Sequence, residues 1–93
     1  MVNSYKDLIV WQKAMDLTIE IYLLVKFLPC EETYALSDQM RRAVISIPSN
    51  IAEGHGRNSN KEFANFLSMA RGSLTELKTQ LQICRRLNYF SAA

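Results

Sequence analysis

The stretch Ser46-Ile47-Pro48-Ser49-Asn50-Ile51-Ala52-Glu53-Gly54-His55-Gly56-Arg57 decides how this chain folds. Leu36, Met40, Val44, Ile47 and Ile51 run into it at three- and four-residue steps, the apolar seam of a helix. Pro48 stands inside that helix. A proline there removes one amide donor and presses on the carbonyl four residues back, here that of Val44, at a cost of about 3 kcal/mol. A buried helix tolerates such a cost where it uses the kink or the close approach that the kink allows. Two readings of the stretch follow. In one, Asn50 and Glu53 contact a partner protein or RNA. In the other, Ser46, Ser49 and Asn50 satisfy backbone groups freed at Pro48, while Glu53 closes the turn and Gly54 and Gly56 reverse the chain. The second is preferred, because a buried unsatisfied carbonyl costs about 1–3 kcal/mol.

Working outward, 93 residues hold one small domain, residues 1–93. With three glycines and two prolines the chain has little punctuation, which favours a few long helices over many short strands. Cys30 and Cys84 are far apart and form no metal or redox spacing; each has apolar neighbours, which predicts two buried, reduced thiols in a cytoplasmic protein. Lys6 and Asp7 interrupt the N-terminus and no small-residue cleavage site follows, so no signal peptide is read. Nor is a membrane span. The longest unbroken apolar run of the first helix is Ile21–Val25, against the roughly 20 residues a span requires.

The expected fold is all-α, with three long helices at about 6–28, 37–54 and 60–87. Ser4 with Asp7 forms a capping pair for the first helix, and Pro29 stops it. Its core seam is read as Leu8, Trp11, Met15, Tyr22 and Val25, with Val10, Leu17 and Leu24 on a second face. Fifteen of the 21 residues from Leu8 to Leu28 are apolar or aromatic, which predicts burial on most sides, by a partner chain or a central position. Ser59 with Glu62 caps the third helix, whose core register is Phe63, Phe66, Ala70, Leu77, Cys84 and Leu87, flanked by Leu67, Leu74 and Leu81. Trp11, Tyr22 and Phe63 are read as core aromatics rather than base-stacking platforms. Gly72 costs about 1 kcal/mol relative to alanine, which predicts that a neighbouring helix, or the Pro48 kink, packs closely on it. Asn88-Tyr89-Phe90-Ser91 reads as a turn opening another element.

Three separated motifs carry a resemblance. Asp7-Leu8-Ile9-Val10-Trp11-Gln12-Lys13-Ala14, then Gln39-Met40-Arg41-Arg42-Ala43 leading into Ser46–Gly54, then Phe66-Leu67, Ala70 and Gly72-Ser73-Leu74-Thr75-Glu76-Leu77 stand in order and at matching distance. In these the chain resembles the four-helix-bundle proteins encoded within intervening sequences of bacterial 23S ribosomal RNA genes. The resemblance implies an up-and-down four-helix bundle that assembles into a homopentameric, barrel-like ring. That family is also similar to the accessory variability proteins of diversity-generating retroelements, which associate with a reverse transcriptase and bind nucleic acid through a basic surface. The sequence departs from the family pattern in that the fourth helix is missing.

Catalysis finds little support in the residues. His55 is the single histidine, and a Ser49–His55–Glu53 relay has nothing to orient it. No cluster has metal-ligand spacing, and Gly54-His55-Gly56 does not match a phosphate-cradling loop. The expectation is therefore a non-enzymatic protein with no cofactor and no metal.

The basic residues are better material. Residues 1–36 carry three basic and five acidic side chains, net −2, whereas residues 37–93 carry eight and four, net +4. Arg71, Lys78 and Arg85 are seven residues apart and line one side of a helix, with Arg86 beside the last. Arg41 and Arg42 open the second helix, and Arg57 and Lys61 flank the next turn. Cations so placed can follow a phosphate backbone and give salt-dependent affinity without sequence specificity. The bland alternative is a solvated face, with Glu76 pairing nearby bases. The first expectation is thus an oligomer that binds structured RNA or DNA through this basic face. Its alternative is a protein–protein scaffold, for example for a reverse transcriptase, with no direct nucleic-acid role.

Overall fold

The computed structural model describes residues 4–90, and every regular element among them is helical. Three helices dominate: α1 (Ile9–Leu24), α2 (Leu36–His55) and α3 (Asn60–Arg86). Short 3-10 turns at Tyr5–Asp7, Val25–Phe27 and Cys30–Glu32 complete the set. The first expected helix is therefore divided. Ser4 does cap, but it accepts from the Lys6 amide at the start of the 3-10 turn, and Leu8 is extended (φ −73°, ψ 125°) before α1 begins. Leu28 and Pro29 are extended too (ψ 151° and 150°), which ends the helical run where the proline was expected to end it.

Pairing is antiparallel throughout. Met40 meets Cys84 (Sγ to Sδ, 3.7 Å), Ser46 meets Ser73, and Gly54 meets Phe66, so α2 and α3 run in opposite directions. Thr18 faces Val44, while Trp11 lies beside Pro48 and Ala52, so α1 and α2 are antiparallel as well. Both outer helices pack on α2 and scarcely approach one another. The central helix is α2, not the more apolar α1.

The α2 seam behaves as its spacing predicts, since Leu36, Met40, Val44, Ile47 and Ile51 are all buried. From α3, Ala70, Leu77 and Cys84 meet it. Burying a side chain the size of Leu77 contributes about 1.5–3 kcal/mol. The α1 seam differs from expectation. Ala14, Ile21, Val25 and Leu28 are buried, while Met15, Tyr22 and Val10 are exposed. One residue turns a helix by about 100°, and both candidate seams are apolar, so periodicity alone does not choose between them. Leu87 is likewise exposed rather than core.

Two glycines exchange the roles expected of them. Gly54 lies within α2 rather than in the reversal, and a Cβ there would fall 2.6 Å from the Phe66 Cβ and 3.0 Å from Phe63 Cδ1. It is the glycine that lets two helices touch. Gly72, expected to sit under a neighbouring helix, has nothing within 4 Å of a built Cβ. The two cysteines also part company, with Cys84 buried and Cys30 exposed. Burial, then the nearby Glu32 carboxylate, pushes the Cys84 thiol pKa up and keeps it protonated.

α3 ends in a Schellman-type cap. Asn88 takes the left-handed conformation (φ 60°), its N–H bonds the Arg85 carbonyl, and the Tyr89 N–H bonds that of Cys84. The turn expected after Leu87 is thus present through Phe90; Ser91 and any element beyond it lie outside the described residues. The cap aims Tyr89 at the α1–α2 connection, where its hydroxyl donates to Glu32 Oε2 at 2.6 Å. That bond, followed by burial, pushes the Tyr89 pKa from 10.0 up to about 12.

Three outcomes follow. Gly54→Ala lowers stability by about 1–3 kcal/mol, because the Phe66 Cβ cannot swing aside, and thermal melting reads this as a fall of roughly 4–8 °C per kcal/mol. The folded chain holds the Tyr89 proton more tightly than the unfolded chain does. That contribution is complete below pH 10.0 and is lost as pH rises towards about 12, a slope that Tyr89→Phe removes in melts across that range. Native alkylation modifies one thiol per chain, and Cys30→Ser abolishes it.

Candidate nucleic-acid interface

The segment around Pro48 is a packing device. The Pro48 ring is buried against the α1–α2 groove. The carbonyl it frees, Val44 O, receives the Thr18 hydroxyl from α1 at 3.5 Å, a proton shared with Ala14 O at 2.8 Å. Ser46 Oγ donates to the Ala43 carbonyl (2.8 Å) and bonds Ser73 Oγ of α3. Asn50 Nδ2 donates to the Ser46 carbonyl at 2.7 Å. Ser49 does not join in; it is exposed on the rim of the α1–α2 groove. Ser46 and Asn50 thus bond the Ala43 and Ser46 carbonyls, not the Val44 carbonyl that Pro48 frees, so none of the three expected side chains meets the freed group. The donor to Val44 is Thr18, which comes from another helix and so was invisible to local spacing.

The Ser49–His55–Glu53 relay, for which the sequence offers nothing to orient it, is not brought together in the structure. Glu53 pairs with Arg57, and the His55 ring packs edge-on against Phe63 at 5.8 Å. Ser49 and His55 are six residues apart, about 240° around α2, and so face different ways. Among the described residues no group of three His, Cys, Asp or Glu side chains comes together to hold a metal. Nor is any described helix long and apolar enough to cross a membrane.

The eight candidate cations do not form one surface. Arg41 is tied into the fold: its guanidinium donates to the Thr33 carbonyl at 3.0 Å, lies 3.8 Å from Asp38, and is only 28% exposed. Arg42 extends into solvent but pairs with the same Asp38 at 3.0 Å. Arg57 pairs with Glu53 and stacks 4.9 Å over the Phe66 ring, closing the α2–α3 turn. Lys61 is exposed in the first turn of α3.

Arg71, Lys78 and Arg85 are exposed, and none has an ion-pair partner among the described residues. Seven-residue spacing sets them about 10.5 Å apart along one flank of α3. The half-buried Leu74 and Leu81 border the row. Arg86 is turned about 100° away from Arg85 and leaves the row. Arg42 lies across from it, because it lines the α2–α3 groove with Glu76 and Gln80 of α3. Those two sit about 160° or more around the helix from Lys78. The candidate interface therefore narrows to three cations on one flank.

One polar residue was overlooked. Gln80 is 5% exposed and its Oε1 has no hydrogen-bond partner among the described residues. The signal was present, because Gln80 follows Leu77 by three residues and precedes Cys84 by four, on the core register itself.

No curated protein matches the chain. A family model, described as 23S rRNA-intervening sequence protein, matches residues 6–93. That match covers all three helices, the α2 segment around Pro48 and the flank carrying Arg71, Lys78 and Arg85, and the chain belongs to the 23S rRNA-intervening sequence protein family.

Proposed function

We propose that this protein is a non-enzymatic, cytoplasmic, self-assembling helical module that binds structured RNA or another polyanionic nucleic acid through one flank of α3. The observation that carries the reading is the row Arg71, Lys78, Arg85, three exposed cations at one-flank spacing with no ion-pair partner among the described residues. Five of the eight expected cations drop out of the row: Arg41, Arg42 and Arg57 are engaged with carboxylates, Lys61 stands nearly three turns before Arg71 at the start of α3, and Arg86 faces elsewhere. Three phosphate contacts per chain give weak binding alone. In a ring, five copies of the row act together, and repeated weak contacts convert into avidity. The pentamer and the kinship to retroelement accessory proteins belong to this proposal. It requires no cofactor and no metal.

A second reading is favoured by a different observation. α1 exposes Ile9, Ile19 and Leu23, and Phe27 beyond it is 75% exposed. Such a face suits a protein partner, and in this reading the ring is a scaffold, for example for a reverse transcriptase, with the basic row incidental.

Fluorescence anisotropy against labelled structured RNA across a salt series separates the two. On the first reading, Arg71→Gln, Lys78→Gln and Arg85→Gln together leave the helical circular dichroism unchanged. They also flatten the slope of log K against log salt by about two to three units per bound chain. An unchanged slope, with a stoichiometric protein recovered on the wild-type chain, selects the scaffold.

A further inference from the structure

Two unlike faces of this molecule complement each other. On α1, Met15, Ile19 and Tyr22 are exposed at four- and three-residue steps, and Lys26 follows four residues later. On α3, Gly72, Glu76, Thr79 and Ile83 repeat the same four-three-four spacing along the flank opposite the basic row. Each row spans twelve residues. The α3 row has three unmet requirements within its own chain. Gly72 stands mid-helix with open space where a Cβ would be, so something can approach its backbone closely. Glu76 has no cationic partner among the described residues. Gln80, beside both Glu76 and Ile83 in the α2–α3 groove, holds a buried amide oxygen with no donor among the described residues.

We propose that the α1 row of a second copy of this chain lies antiparallel across the α3 row, a reading that rests on the self-assembly proposed above. With Met15 opposite Ile83, Tyr22 of the second copy stands opposite Glu76 and Lys26 opposite Gly72. Helical side chains lean towards their own N-terminus. In the antiparallel arrangement this carries Tyr22 towards Gln80 and Lys26 towards Glu76. The Tyr22 hydroxyl then supplies the donor that Gln80 Oε1 lacks. The Lys26 ammonium meets the Glu76 carboxylate, and Gly72 admits the 3-10 turn Val25–Phe27 that continues α1 and carries it. Met15 covers the exposed Ile83. Because the α1 and α3 faces differ, the contact is head-to-tail and propagates into a ring when its rotation closes. It also leaves Arg71, Lys78 and Arg85 on the opposite flank, free for a nucleic acid.

Sedimentation velocity of the full chain over a concentration series tests this, with circular dichroism reporting the fold. The wild type assembles. Lys26→Glu and Glu76→Lys each raise the apparent dissociation constant about tenfold or more, and the double exchange restores assembly. Tyr22→Phe weakens assembly without a change in charge. Gly72→Leu keeps or improves the helix, since a Cβ there meets nothing within 4 Å among the described residues, and blocks assembly. A wild type that assembles but is indifferent to Lys26→Glu, Glu76→Lys and Gly72→Leu overturns this interface and leaves self-assembly standing. Single exchanges that dissociate the protein without rescue in the double variant overturn the Lys26–Glu76 pairing. A wild type that stays monomeric at all concentrations overturns both.

Discussion

Everything in this fold hangs on the seating of α2 against α3, where Met40, Val44 and Ile51 bury against Leu77 and Cys84 with essentially no exposed surface. Gly54 sets the closeness of that contact at one end, where any side chain would strike the Phe66 Cβ. The sulfur contact between Met40 and Cys84 marks the other end. Between them, Ser46 and Ser73 satisfy each other across the interface, so the polar groups around Pro48 add no unpaired atom to it. A close-packed seam of this kind permits little sliding, because shifting one helix by a residue places side chains where Gly54 has none.

The cost of Pro48 is spread over both interfaces of α2. Thr18 brings a hydroxyl to the freed Val44 carbonyl from α1, and Ser46 ties the same turn to α3. The proline ring fills part of the α1–α2 groove. A helix defect on the central element thus becomes a point at which all three helices are tied, and this accounts for a proline persisting inside a buried seam.

Electrostatics separate structural from available cations. Arg41 and Arg57 close loops, one through the Thr33 carbonyl and one over Phe66, and their carboxylate partners are local. Exposed pairs of this kind contribute little to stability, but they neutralise the charge on which long-range attraction depends. Arg71, Lys78 and Arg85 keep theirs, on a flank bordered by leucines rather than carboxylates. The opposite flank of α3 carries Glu76 and the unmet Gln80 oxygen, so one helix presents two electrostatically distinct sides.

The sequence by itself determined the helical class, the α2 seam and the Ser59 cap, since each depends on spacing within a single element. It also contained the row of three cations, because a seven-residue repeat marks one flank of a helix whatever surrounds it. Only the tertiary structure decided which apolar face of α1 is buried. Ala14 and Ile21 compete there with Met15 and Tyr22, and the choice belongs to α2. Tertiary structure likewise exchanged the roles of Gly54 and Gly72, exposed Cys30, supplied Thr18 to the proline break, and removed Arg41, Arg42 and Arg57 from the candidate surface. The physical reason is common to all of these. Local periodicity states which residues share a face, whereas burial, ion pairing and close approach depend on what a second helix brings to that face.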